Sequence, residues 1–181
     1  MYFLQAERTL FCAVELSETS KKVCPRQELA KNTLGNSLID GVRMILELIS
    51  FGFKTNDIPN TNYLMDVRFL NNPFYIDELR ELTGLDKEVI NFFKEDSKIN
   101  EFLKKLFDWT EYILNLNKSA DREKTTIAIG CTGGQHRSPY ITECLARHLA
   151  EKNIVHSEIS INHRELKKCN ILKTKDITQH A

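Results

Sequence analysis

The sequence lacks an excess of charge of either sign, since its 25 Lys and Arg residues balance its 25 Asp and Glu residues. A neutral chain has no overall field that would draw it to nucleic acid or to a membrane surface. Any binding site for an anion must therefore take its charge from a few neighbouring residues. Apolar residues are not scarce, because they make up 41% of the 181 residues, enough for the core of one good-sized domain.

Long hydrophobic runs and closely paired cysteines are also missing. No stretch approaches the roughly 20 apolar residues of a membrane span, and Glu7, Glu15 and Glu18 interrupt any signal-peptide core. The five cysteines show no C-x-x-C spacing, which fits neither a disulfide scaffold nor a zinc site; they are Cys12, Cys24, Cys131, Cys144 and Cys169. We therefore expect a soluble cytoplasmic protein with no membrane contact, no metal site and no cofactor.

Apolar runs at three places predict buried strands. The runs are MILELISF (44–51), YLMDVRFL (63–70) and TTIAIG (125–130), and their nearly continuous apolar character is typical of strands buried on both faces. The third is rich in β-branched residues. A further short strand is predicted at Glu158 to Ile161.

Helical periodicity separates these strands. One helix is predicted after Leu85 and Asp86, a longer one carries an apolar stripe, and a third begins near Ile141; the stripe comprises Ile99, Phe102, Leu103, Leu106, Trp109 and Ile113. We interpret the stripe as core, not as a cofactor site. Strands that alternate with helices predict an α/β fold, a single domain with a mostly parallel sheet flanked by helices. We expect this domain to cover residues 43–181, and residues 1–42 to be an N-terminal extension of uncertain structure.

The segment GCTGGQHRS (Gly130 to Ser138), called the glycine loop below, follows the third predicted strand and precedes a helix. Free backbone N–H groups and the helix dipole then point at one spot, which predicts an anion site. Gly133 and Gly134 permit close approach, Arg137 can bind phosphate oxygens through two N–H groups, and Ser138 can cap the helix. The alternative is a tight strand-to-helix turn without a ligand. We expect Arg137→Ala to weaken phosphate binding by about 1.5–3 kcal/mol and to leave the fold intact.

The same loop contains the pattern C-x-x-G-x-x-R followed by Ser, which is that of cysteine-dependent phosphatases. In such enzymes a thiolate attacks phosphorus, and the positive helix end would lower the pKa of Cys131. Gly130 stands where those phosphatases usually have His. They also need a carboxylic acid, for which Asp57, Asp66 and Asp86 are candidates. This enzyme hypothesis, with Cys131 as nucleophile and Arg137 as phosphate clamp, stays open beside a binding function.

Five blocks of sequence, in order, resemble one known family: SFGFK (50–54), DVRFLNNP (66–73), LRELTGLDKEV (79–89), AIGCTGGQHRSPYITE (128–143) and HREL (163–166). From about Ser50 onward the chain is similar to the C-terminal domain of the RapZ (YvcJ-type) RNase adapter family. The resemblance implies a regulatory domain that binds glucosamine 6-phosphate and small regulatory RNA and presents the RNA to an endoribonuclease. It implies that the phosphate is held by Thr132, Gly133, Gly134, His136 and Arg137, with Cys131 alongside. The DVRF block suggests that Asp66 and Arg68 lie near the same pocket, although such a pair can also be a structural ion pair.

Two departures limit what the resemblance carries over. The chain has no G-x-x-x-x-G-K-[ST] motif, so the ATP and GTP hydrolysis of full-length members is not expected of it. The segment FGFKTNDIP is longer than the family's turn at this place and lacks its His, so the resemblance does not extend to recognition of the sugar ring. We therefore expect the second half of such a protein, and a binding module in preference to an enzyme.

Basic residues are concentrated after the last predicted strand. Five of them outnumber two acidic residues there and leave a surplus of three positive charges; the basic residues are Arg164, Lys167, Lys168, Lys173 and Lys175. Family members have a similarly basic end, which favours RNA contact over a merely solvated tail. A surplus this small gives modest, salt-sensitive affinity, so useful RNA binding predicts a homo-oligomer that presents several copies.

Overall fold

The structure, a computed structural model, describes residues 44–154 and 158–173. The predicted extension at residues 1–42 and the basic residue Lys175 lie outside the described residues. The described strands are β1 (Ile45–Gly52), β2 (Tyr63–Asp66), β3 (Lys124–Cys131), β4 (Glu158–His163) and β5 (Lys168–Lys173). The helices are α1 (Lys87–Glu95), α2 (Ser97–Ser119) and α3 (Arg137–Glu151), with short 3₁₀ helices at Phe53–Thr55, Pro73–Tyr75 and Asp77–Leu79.

The strands form one sheet in the order β2-β3-β1-β4-β5. The first four strands are parallel, as predicted, and β5 is antiparallel to β4. The sheet is therefore mixed, because β5 returns directly from β4 through a short turn. Helices α1 and α2 connect β2 to β3, and α3 lies between β3 and β4, so the predicted α/β class is confirmed.

The core lies between the sheet and the three helices. Helix α2 begins at an N-cap, Asp96, whose side chain accepts the N–H of Lys98 at 2.9 Å. The predicted stripe of α2 is buried at four of its positions, namely Ile99, Leu103, Leu106 and Ile113. Phe102 is half-buried, and Trp109 is 37% exposed where its ring meets that of Tyr63 edge-on at 5.5 Å. The interpretation of the stripe as core is confirmed.

Two predicted elements differ in the structure. The run at 63–70 is not a long buried strand, since β2 stops at Asp66 and lies at the edge of the sheet, where Leu64 is 43% exposed. The expected basic tail, in turn, contains the edge strand β5. The composition of KCNILK does not predict that strand. The strand depends on its pairing with β4, and its apolar residue Ile171 stays 61% exposed. No described helix is long and apolar enough to cross a bilayer.

Candidate functional site

The glycine loop lies where two central strands end. Gly52 at the end of β1 is in register with Cys131 at the end of β3, and α3 begins six residues later at Arg137. The carboxyl ends of parallel strands are the usual ligand-binding edge of an α/β sheet. The predicted strand–loop–helix unit therefore occupies the expected place.

Gly134 allows the backbone of the loop to turn sharply. Its φ of 70° is in the left-handed region, and its N–H donates to Cys131 Sγ at 3.2 Å. The first backbone hydrogen bond of α3 runs from the Tyr140 N–H to the His136 carbonyl at 3.2 Å. The N–H groups of Arg137 and Ser138 come before it, so neither has an acceptor within the helix. An anion placed there would meet free donors and the positive end of the helix dipole.

Ser138 does not cap the helix, so that part of the prediction is wrong. It is the second residue of α3 and fully buried, while the N-cap is His136, which makes no side-chain capping bond. Ser138 Oγ donates to the Phe51 carbonyl at 3.2 Å and lies 3.2 Å from Cys131 Sγ. Its hydroxyl therefore ties the loop to β1 instead of facing a ligand.

Arg137 is a structural bridge as well as a candidate phosphate ligand. Only 5% of its surface is exposed, and one terminal nitrogen donates to the carbonyls of Arg68 at 2.8 Å and Leu70 at 3.2 Å. The other terminal nitrogen donates to Thr132 Oγ1 at 3.1 Å. The expectation that Arg137→Ala leaves the fold intact is therefore revised, because that change would leave buried carbonyl oxygens without their donor.

The Nε atom of Arg137 is different. It is buried and has no hydrogen-bond partner among the described residues. Buried donors without a partner are rare in proteins and call for an explanation, which a bound ion can provide.

The segment 79–84 forms one wall beside the loop. Gln135 donates from Nε2 to the carbonyls of Arg80 at 3.1 Å and Leu82 at 2.7 Å, and Gly84 N–H donates to the Gln135 carbonyl at 2.9 Å. Gly84 is packed so closely that an added Cβ would lie 2.0 Å from the His136 carbonyl oxygen. These contacts hold the loop from outside its own sequence.

His136 is buried and neutral. Its Nε2 donates to the Leu79 carbonyl at 3.0 Å, and burial lowers the pKa of its ring below the ordinary value. Because its one proton is on Nε2, the neutral ring leaves Nδ1 as an acceptor only and offers a phosphate neither a donor nor a positive charge. The positive charge beside the loop therefore comes from Arg137 and from lysine.

A cleft of about 220 Å³ opens at the loop. Four of the predicted ligand residues line it, namely Thr132, Gly133, His136 and Arg137, together with Cys131. The other lining residues were not predicted: Lys54, Asn72, Phe74, Tyr75 and Gln135. Most of these follow β1 or β2 in sequence, and the convergence of parallel strand ends was the signal that could have found them.

Asp66 and Arg68 do not line this cleft. Arg68 Nε lies 3.0 Å from both carboxylate oxygens of Asp66, and its guanidinium stacks 4.2 Å from the centre of the Phe53 ring. The hydrogen bonds from Arg68 lower the pKa of Asp66 below its ordinary value. The two residues form the ion pair that the sequence left open as an alternative, and it is Arg68's carbonyl that contacts the site residue Arg137.

The surroundings of Cys131 bear on the hypothesis that the protein is a cysteine-dependent phosphatase. Cys131 is 2% exposed, and its thiol faces the Ser138 hydroxyl and the Gly134 N–H. The three candidate acids are engaged elsewhere, Asp57 with Arg164, Asp66 with Arg68 and Asp86 with Thr83; no carboxylic acid is among the described residues that line the cleft.

The described basic residues lie around the turn between β4 and β5. Lys167 and Lys168 are exposed, whereas Arg164 donates to the Asp57 carbonyl at 2.9 Å and is paired with its carboxylate. Lys173 is the last residue of β5. Two of the predicted RNA-contact residues are thus free to meet a polyanion.

Comparison with known proteins gives a consistent match. Residues 44–167 match the family model for the RapZ C-terminal domain. A protein of Lactobacillus acidophilus named a nucleotide-binding protein is 47% identical over 135 residues, which cover 72% of this chain and 46% of that protein. A nucleotide-binding protein of Shewanella halifaxensis is 44% identical over 124 residues, 68% of this chain and 43% of its own length. The chain thus spans less than half the length of these curated relatives.

Proposed function

Because this chain belongs to the RapZ C-terminal domain family, we propose that it is a regulatory binding module that senses a sugar phosphate and binds small regulatory RNA. The ligand is an amino-sugar phosphate of the glucosamine 6-phosphate kind, held by its phosphate in the glycine loop. The module acts as an RNase adapter, which presents bound RNA to an endoribonuclease. The relatives are named nucleotide-binding proteins, and binding of a phosphorylated ligand is consistent with that name.

The strongest support is the unpartnered Nε of Arg137. This donor belongs to the permanently charged side chain of Arg137, a residue that lines the cleft at the start of α3. A phosphate oxygen would satisfy Nε without breaking the bonds that the terminal nitrogens make to Arg68, Leu70 and Thr132. Charge-assisted hydrogen bonds of this kind are about twice as strong as neutral ones.

The rest of the cleft fits a small ring. Its volume of about 220 Å³ lies below the roughly 300–1,000 Å³ of pockets for drug-sized ligands. Phe74 and Tyr75 offer exposed aromatic faces, Asn72 offers an amide for hydroxyl groups, and Lys54 adds a positive charge. A hexose phosphate matches this combination.

A cysteine-dependent phosphatase is the second candidate, favoured by the 3.2 Å contact between the Gly134 N–H and Cys131 Sγ. That donor would stabilise a thiolate. The absence of a carboxylic acid from the described lining residues argues against turnover, because a leaving alkoxide needs a proton. The neutral His136 already donates its Nε2 proton to Leu79.

Calorimetric titration of the full chain with glucosamine 6-phosphate, glucose 6-phosphate and inorganic phosphate tests the proposal, with phosphate release assayed in the same samples. Saturable binding that prefers the amino sugar, without release, is expected. Cys131→Ser separates the two candidates, since a nucleophile loses all turnover whereas a bystander keeps ligand binding. Phosphate release that depends on Cys131 would make this protein an enzyme.

Lys54→Ala probes the cleft without disturbing buried contacts, because Lys54 is exposed and, within the described part of the chain, only its backbone N–H is bonded, to the Thr132 carbonyl. We expect affinity for the sugar phosphate to fall about tenfold, the scale of one charged hydrogen bond. Lys87→Ala, an exposed change at the start of α1, is the matched control and should leave affinity unchanged.

RNA binding is assigned to Lys167 and Lys168 at the β4–β5 turn. Two exposed lysines give weak affinity in one subunit, so the proposal includes a homo-oligomer that presents the turn several times. Sedimentation of the chain with and without RNA measures the oligomeric state, and a monomer that binds RNA tightly would contradict this arrangement.

A further inference from the structure

The turn between β4 and β5 lies directly against the glycine loop. A Cβ added to Gly134 would lie 2.6 Å from Glu165 Oε2 and 2.7 Å from its carboxyl carbon. No side chain fits between the two segments, so the carboxyl group of Glu165 packs on the α-carbon of Gly134. Glu165 is thereby an acidic residue in direct contact with the loop that is proposed to hold phosphate.

Among the described residues, Glu165 forms no ion pair. Glu165 Oε2 is buried and has no hydrogen-bond partner within the described ranges. Arg164, the adjacent cation, forms an ion pair with Asp57, and its backbone N–H donates to the Ser50 carbonyl at 3.1 Å. A carboxylate oxygen can only accept hydrogen bonds, and no donor among the described residues reaches Oε2, so negative charge on this atom meets no hydrogen-bond donor beside the loop.

We infer that Glu165 is an affinity-determining residue of the phosphate site, a resident negative charge that opposes any anion in the glycine loop. The inference rests on the proposed function, because it concerns the same site. The carboxylate touches Gly134, three residues before α3, and so partly cancels the positive potential at the start of that helix. A phosphate in the loop has to overcome this repulsion, and the protein binds phosphate more weakly than its donors alone would allow.

The contact also joins the two proposed binding regions. Glu165 belongs to the turn that carries Lys167, whose N–H closes that turn on the Arg164 carbonyl at 3.2 Å. The charge that opposes phosphate is therefore held in place by the segment proposed to bind RNA.

The test is calorimetric titration of the full chain with inorganic phosphate, wild type against Glu165→Gln, at low and high salt. Removal of the charge should tighten binding about tenfold at low ionic strength. The gain should shrink to less than about threefold at 0.5 M salt, since screening weakens interactions between charges. A role in packing alone would not produce this dependence on salt.

Two further variants make the result specific. Glu165→Asp keeps the charge and should bind phosphate as the wild type does, and Glu101→Gln removes an exposed carboxylate on α2 and should change nothing. A gain in Glu165→Asp equal to that in Glu165→Gln would overturn the role of charge. Urea midpoints of all variants establish that each is folded.

The outcomes separate this inference from the proposal on which it rests. If wild type binds phosphate and Lys54→Ala weakens it, but Glu165→Gln gains nothing, the role of Glu165 is refuted and the phosphate site stands. If neither wild type nor Glu165→Gln binds phosphate saturably, the site itself is refuted, and the role of Glu165 with it.

Discussion

Arg137→Ala should lower the free energy of unfolding, in addition to removing a ligand contact. The guanidinium donates three hydrogen bonds, two to backbone carbonyls between β2 and α1 and one to Thr132. Hydrogen bonds to charged groups contribute about 1.5–3 kcal/mol each and are not fully additive, so we expect a loss of about 3–5 kcal/mol in the free energy of unfolding. That loss is a large part of the roughly 5–15 kcal/mol that stabilises a typical domain.

Urea unfolding followed by fluorescence measures this loss, because Trp109 is the single tryptophan of the chain. With a slope of about 2 kcal/mol per molar urea, the midpoint should fall by about 2 M. Arg122→Ala is the control, since Arg122 is exposed and should leave the midpoint unchanged. If Arg137→Ala moved the midpoint by less than about 0.5 M, the reasoning on the buried guanidinium would be wrong.

Three other predictions follow from particular contacts. Gly84→Ala places a methyl carbon 2.0 Å from a carbonyl oxygen of the glycine loop, so it should lower the free energy of unfolding by about 2 kcal/mol or more, and an unchanged urea midpoint would contradict that packing. The pKa of Asp86 is lowered chiefly by the Thr83 hydroxyl, so the carboxylate contributes stability above its ordinary value of 3.8 that is lost as pH falls through the lower native value. Thr83→Ala should reduce this loss in acid unfolding curves, and identical curves would exclude the contact as its cause. Replacing Lys167 and Lys168 by Gln should abolish a gel shift with small RNA while leaving the urea midpoint unchanged, and an unaltered shift would place RNA elsewhere.

Local patterns in the sequence were sufficient for the elements that bury their own apolar residues. The β-branched run before the glycines predicts β3, and helical spacing predicts α2, because both patterns record burial directly. The glycine loop itself was located for the same reason, since a strand, two glycines and a helix start follow one another within 15 residues.

Long-range contacts could not be predicted from local patterns in the sequence. Arg137 suggested a free phosphate clamp, whereas its partners lie 67 and 69 residues earlier in the chain. Strand β5 has no apolar pattern of its own and exists through its pairing with β4. In the sequence, Glu165 is a single acidic residue within a basic segment, and no local pattern indicates a role for it. Its packing on Gly134 is a long-range contact that the structure shows.

The proposed phosphate site is tested most directly by amide NMR spectra of the labelled full chain during titration with glucosamine 6-phosphate. If the loop holds the phosphate through its backbone, the amide resonances of Gly133, Gly134 and Arg137 should shift together and saturate, while those of α2 stay fixed. Saturable shifts confined to Lys167 and Lys168, or no saturable shift at all, would contradict a phosphate site at the glycine loop.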